Sequence, residues 1–249
     1  MLDTSKLKFQ KFIDNRTKVV PGFTVGQSGP LKIATDTETG QKYLVKYKYA
    51  HNAANEYVAF WLAEQLGIPA PRAYLLSPQG EFKHAVAIEY IEGFKKVDKD
   101  IVGKHPEDFC GQLVLSILID PDDSTQMSYA NGHIYSYDYS EGFEIIDYTL
   151  IDACLRGENA FVSLGRDRLD SFKRHLTYQD FDHPDIAASV GLEPKALQQG
   201  MIRIAKRVQD ITEAEICKMS DEIDEVYPCT YGVYYEKCIQ AMQEHMSQF

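Results

Sequence analysis

The sequence predicts an α+β fold in two parts, a β-rich first third carrying one strong helix and a largely helical remainder. Three observations carry that expectation. Residues 21–49 and 73–92 are short apolar-alternating runs separated by Gly, Pro and Asp turns, the pattern of half-buried strands. Residues 52–66 and 106–119 are apolar over most of a helical circumference, which marks helices packed from more than one side. Beyond residue 144 the period is helical throughout. The change falls at Ile91-Glu92-Gly93, so the expected division is 1–92 and 93–249.

The chain has 249 residues, 44% hydrophobic and 25% charged, enough for two lobes with substantial cores. Its net charge of −11 argues against broad binding to nucleic-acid backbones. No apolar run reaches the length of a membrane span, and the N-terminus lacks the form of a signal peptide. The five cysteines, Cys110, Cys154, Cys217, Cys229 and Cys238, show no paired spacing. They read as reduced thiols in a cytoplasmic protein.

Residues 1–20 are polar and basic and read as a short helix or an arm. Phe23–Val25 and Leu31–Thr35 read as strands joined by Gly26-Gln27-Ser28-Gly29-Pro30. A loop with so little side-chain bulk lets backbone N–H groups approach phosphate oxygens; taken alone it is equally an ordinary hairpin turn. Lys42–Tyr49 alternates, with Tyr43, Val45, Tyr47 and Tyr49 on one face and Leu44, Lys46 and Lys48 on the other. The helix over 52–66 is capped by Asn52 and stopped by Gly67, Pro69 and Pro71. Glu56 lies opposite its main apolar stripe of Ala54, Val58, Trp61, Leu62 and Leu66. Covered on that side, its carboxylate needs a cation, and Lys46 is a suitable one; left exposed, it is an ordinary first-turn acid. Ala73–Ser77 and His84–Tyr90 read as two further strands joined at Pro78-Gln79-Gly80.

The helix over 106–119 starts with Pro106, Glu107 and Asp108 and ends at the acidic loop of Asp120, Asp122 and Asp123. Asn131-Gly132 is a strong hairpin signal, because both residues tolerate the positive φ of a type I′ turn. Pairing Met127–Ala130 with His133–Asp138 returns Asp138 toward that acidic loop. Converging carboxylates suit a divalent cation and an anionic substrate, although an acidic loop followed by a hairpin is also unremarkable. Toward the C-terminus, Pro184–Val190, Pro194–Asp210, Ser220–Val226 and Tyr231–Phe249 read as helices, with Thr212 and Glu215 as a capping box.

Together the parts have a specific order: glycine loop, strand lysine, helix glutamate, inter-lobe crossing, buried helix, aspartate loop, hairpin, final aspartate. Protein kinases use this order for phosphate loop, Lys–Glu pair, hinge, catalytic loop and metal-binding aspartate. The chain further resembles the HipA-like kinases through VGQSG (25–29), YLVKY (43–47), NEYVAFWLAEQLGIPAPRAYLL (55–76), AIEYIEG (87–93), LIDPDD (118–123), YDYSEGF (137–143) and ITEAEICKMSDEIDEVYP (211–228). That resemblance implies a bilobal kinase-like fold binding ATP and Mg²⁺, or Mn²⁺ in its place, and serine/threonine phosphorylation of a protein substrate. It implies that Gly26, Ser28, Gly29 and Lys46 meet the nucleotide phosphates and that Glu56 positions Lys46. Glu89, Tyr90 and Ile91 would present backbone groups to adenine. Asp122 aligns as the catalytic aspartate, with Asp123 its nearest competitor, and Asp138 as the metal ligand. Ser28 would be an autophosphorylation site. A regulatory or antitoxin-type protein partner is compatible with the resemblance.

One departure matters. Where the family places a metal-ligating asparagine, this chain has Met127, or Gln126 if the loop is one residue shorter. A glutamine carbonyl oxygen suits a hard cation and a thioether does not. The basic or histidine residue of that loop is replaced by Ser124 and Thr125. A nucleotide-binding pseudokinase or regulatory module is therefore the alternative expectation, and a kinase of small molecules or lipids is a third.

Overall fold

The computed structural model describes residues 1–11, 31–47, 50–119, 126–140, 142–143, 178–227 and 231–249. The glycine loop (Gly26, Ser28, Gly29), the aspartate loop (Asp120, Asp122, Asp123) and Lys48 lie outside the described residues.

An antiparallel five-stranded sheet runs in the order β1-β2-β3-β5-β4, with β1 Leu7–Lys11, β2 Leu31–Asp36, β3 Lys42–Lys46, β4 Ala73–Leu75 and β5 Val86–Glu89. The alternation in β3 sorts its side chains as its period of two requires. Tyr43 and Val45 join Leu7, Ala34, Leu76, Phe82, Ala85 and Ala87 in a small core on one face. On the other face Leu75, Val86 and Ile88 belong to the main core, with helix α1 (Ala50–Gln65) packed over them.

Helix α1 has almost no exposed face: from Asn52 to Phe60 every residue is buried, and so are Leu62, Ala63 and Leu66. It ends where Gly67 adopts a φ of 66°, a left-handed conformation that favours glycine. Short helix α2 (Lys99–Lys104) is capped by Asp98, and α3 (Pro106–Ile119) follows through the middle of the molecule. A second sheet of β6 (Lys95–Lys96), β7 (Gln126–Ala130) and β8 (His133–Tyr137) lies beyond it. The β7–β8 turn has φ 51° at Asn131 and 87° at Gly132, as a type I′ turn demands.

The remaining helices among the described residues are α4 (Pro184–Val190), α5 (Pro194–Ala205), α6 (Glu213–Asp224) and α7 (Gly232–Met246). The main core joins them to α1 and α3 through Leu118, Met201, Ile204, Ile216, Met219, Tyr235 and Met242.

Several expectations are corrected. Residues 7–11 are neither helix nor arm but an edge strand, registered Leu7 to Asp36 through Lys11 to Lys32. Asn52 does not cap α1, which begins at Ala50; its side chain is buried and used elsewhere. The capping box at Thr212 opens one continuous helix through Asp224, so Ser220 starts nothing. The helix begun at Pro194 tightens into a 3₁₀ turn over Lys206–Asp210.

Candidate active site

Three elements bring ionisable side chains to one point. Lys46 is the last residue of β3, on the face toward α1. Glu56 lies in the second turn of α1 and is fully buried. Asp138 is the first residue after β8 and has a φ of 70°, which turns it out of the strand's alternation. Lys46 Nζ donates to Glu56 Oε1 and, at 2.7 Å, to Asp138 Oδ1. A third acceptor, Ser140 Oγ, stands 3.2 Å from the same nitrogen. The Ser140 hydroxyl lies 2.8 Å from Asp138 Oδ1 and 3.3 Å from Glu56 Oε1. The three N–H bonds of the ammonium thus meet three oxygens, the condition under which a buried charge is tolerable.

The protonation states follow from this arrangement. Burial works against the charge on Lys46, but Glu56 and Asp138 outweigh it and hold the ammonium above its ordinary pKa. Burial pushes Glu56 up, with Lys46 opposing. Burial also acts to raise Asp138, but the charge and hydrogen bond of Lys46 and the bond from Ser140 prevail, holding it below the usual carboxylate range. Asp138 is therefore the anionic partner that faces solvent, its side chain 24% exposed against 0% for Glu56.

The stretch after Asp138 is fastened to α1. The Tyr139 N–H donates to Glu56 Oε1 at 3.1 Å, and Asn52 Nδ2 donates to the Ser140 carbonyl at 3.0 Å. Asn55 Nδ2 donates to the carbonyls of Ser140 and Gly142 at 2.7 and 2.8 Å. Sequence reading missed Ser140, Asn52 and Asn55 as site residues. Their signal was available in two buried-helix asparagines on the same side as Glu56, a costly residue type there unless bonded.

The other candidate residues are placed as follows. Gln126 pairs with Tyr137 across the hairpin, one residue from Asp138, whereas Met127 packs against the main core. Asp138 offers a hard, anionic oxygen donor, and its Oδ2 has no hydrogen-bond partner among the described residues. That chemistry fits Mg²⁺ or Mn²⁺. Among the described residues no group of three or more His, Cys, Asp or Glu side chains is arranged to hold a metal. At the end of β5 the Glu89 N–H is taken by the Arg72 carbonyl and the Tyr90 N–H by the Lys42 carbonyl. Of these three amide donors, only that of Ile91 lacks a backbone acceptor among the described residues. Tyr90 is itself 37% exposed.

The antiparallel sheet, the helix packed across it, the helical remainder and the Lys–Glu–Asp cluster define an α+β protein with a kinase-like fold. Among solved structures the chain is similar to that of the Helicobacter pylori proinflammatory kinase CtkA, with a TM-score of 0.55 and 15% sequence identity, over 93% of this chain and 92% of that one. No family model and no curated protein matches the sequence. Among the described residues, no helix is long and apolar enough to cross a membrane.

Proposed function

We propose that this protein is an ATP- and Mg²⁺-dependent phosphotransferase, a HipA-like serine/threonine protein kinase. The observation that carries the reading is the buried contact of Lys46 with Glu56 and Asp138. A lysine fixed at a strand end by a fully buried helix carboxylate is a preorganised positive charge, and it stands beside an ionised aspartate whose second oxygen has no partner among the described residues. Such a pair suits phosphoryl transfer, where catalysis rests on positioning and on neutralising charge that spreads over the phosphoryl oxygens.

In this reading Lys46 binds and orients the nucleotide phosphates, Glu56 holds the ammonium in place, and Ser140 keeps Asp138 aligned. Asp138, with Gln126 beside it, would hold the divalent cation, which supplies charge neutralisation at the phosphates. Asp122 would accept or orient the substrate hydroxyl proton, and Ser28 would be a site of autophosphorylation. Ile91 is the hinge donor available to adenine.

The test is transfer of labelled phosphate from ATP with Mg²⁺ and then Mn²⁺, comparing wild type with Asp138→Asn. Asparagine tolerates the positive φ at this position, so the variant removes the charge with little backbone strain. Label on the protein or on a generic acceptor, lost in the variant, supports the kinase. No transfer by folded wild type with either metal refutes it. That outcome favours a nucleotide-binding regulatory module, a reading motivated by Gln126 in place of asparagine.

A further inference from the structure

Asn55 is fully buried, yet every polar atom of its side chain is used, and on three different backbone or side-chain partners. Its two amide hydrogens go to the carbonyls of Ser140 and Gly142. Its Oδ1 accepts from the phenol of Tyr235, on α7, at 2.7 Å. The two carbonyls lie outside any helix or strand, so no ladder supplies their partners.

The stretch they belong to is bracketed by two non-glycine residues in the left-handed region, Asp138 at φ 70° and Phe143 at φ 62°. For a bulky residue such as phenylalanine that conformation is sparsely populated and persists only when the surroundings over-determine it. The surroundings do so here. Besides Asn55, the fasteners are Asn52 on Ser140 O, Glu56 on Tyr139 N, Tyr234 OH on Phe143 O at 2.5 Å, and Ile119 O on Phe143 N at 2.9 Å. Among these side chains, Asn55 is the one that takes two backbone carbonyls of the stretch.

We propose that Asn55 is a positioning residue for Asp138, and that Tyr235 fixes which way its amide points. A flipped amide would set its oxygen against two carbonyl oxygens; a phenol donating to Oδ1 holds the productive orientation. Burial pushes the Tyr235 phenol well above the ordinary tyrosine pKa, so it remains a donor across the working pH range. The carboxylate that meets Lys46 is thereby held, through Asn55, by the terminal helix of the described fold. The kinetic part of this inference rests on the phosphotransfer reading; the structural part does not.

The experiment therefore has two arms, on Tyr235→Phe and Asn55→Asp. The first removes only a hydroxyl. The second keeps the shape of Asn55 but turns its amide nitrogen into an oxygen facing both carbonyls. In protein free of nucleotide and metal, hydrogen exchange of peptides spanning residues 138–143 should quicken about fivefold in Tyr235→Phe, the equivalent of one net hydrogen bond. Peptides of α3 and α5 should exchange as in wild type. In the kinetic arm, kcat should fall and the half-saturating Mg²⁺ concentration rise with an unchanged KM for ATP. Asn55→Asp should lose about ten- to a hundredfold, the usual cost of disturbing a residue behind a metal ligand. Unchanged exchange at 138–143 in Tyr235→Phe overturns the proposal, and so does a uniform increase along the whole chain, which marks a merely structural residue. If wild type transfers no phosphate, the phosphotransfer reading fails while the exchange arm still decides this one. If Asn55→Asp does not fold, Tyr235→Phe decides alone.

Discussion

Replacing Lys46 by methionine keeps the side-chain length and removes the charge that two carboxylates share. At an effective dielectric of about 20, the gross attraction across the 2.7 Å contact with Asp138 is about 6 kcal/mol. Desolvation consumes much of that in the native protein, and breaking a buried pair by deleting one partner costs about 3–5 kcal/mol. The lasting penalty falls on Glu56, because Asp138 reaches solvent and Glu56 does not. Glu56 escapes by taking up a proton. From an ordinary glutamate pKa this costs about 5 kcal/mol at pH 8 and about 1.5 kcal/mol at pH 5.5, at 1.36 kcal/mol per unit. The folded variant then binds a proton that the unfolded chain releases. Stability is therefore full below the ordinary glutamate pKa and is lost as pH rises toward the folded value. Wild type shows a shallower slope of the same sign from this residue, since Lys46 opposes the rise. At 2–4 °C per kcal/mol for a chain of this size, the variant should melt about 10 °C below wild type at pH 8 and recover most of that at pH 5.5. Urea and thermal unfolding can be followed by the fluorescence of Trp61, the sole tryptophan, which lies on α1 itself. A variant within about 1 kcal/mol of wild type at pH 8, with the same pH slope, would refute the reasoning.

Three further outcomes are expected. Ser140→Ala removes a hydroxyl that contacts Lys46, Asp138 and Glu56; it should cost about 1–2 kcal/mol in urea unfolding and reduce any phosphate transfer more than it reduces stability. Gly232→Ala places a methyl group against the Ser220 carbonyl where α7 starts beside α6, so it should destabilise by about 1–3 kcal/mol, read as a lower melting temperature. Thr212→Ala abolishes the reciprocal cap with Glu215 on an exposed helix start; about 1 kcal/mol should be lost with the site untouched, which equal wild-type and variant activity after correction for folded fraction would check.

The parts of the fold legible in the sequence were those where side chains carry the signal. The alternation over Lys42–Lys46, the all-round apolar helix and the Asn-Gly turn each state their own geometry, and the covered Glu56 called for the lysine it meets. What escaped was carried by the backbone or by context. β6 is two lysines, visible only as partners of Ser128 and Tyr129. In β1 the alternation of Leu7 and Phe9 was obscured by the lysines around it, and its identity comes from pairing with β2. Asn52 has the residue type of a cap, and only the neighbouring chain after β8 reveals that its amide is bonded elsewhere. The amides of Glu89 and Tyr90 were unreadable for a similar reason, because strand partners from Lys42 and Arg72 decide whether they are available.

Helix α1 is pinned at both ends to the helical half. Asn52 and Asn55 hold it at the start, and Arg207 donates to the Leu66 carbonyl at 2.8 Å at the finish. Between them Tyr57 bonds Glu222. Helix α1 therefore ties the sheet it packs against to the helical half of the chain. Any displacement of the sheet relative to α1 would act directly on the Lys46–Glu56 contact. That contact is the seam of the molecule, and the distance across it registers how the sheet is seated.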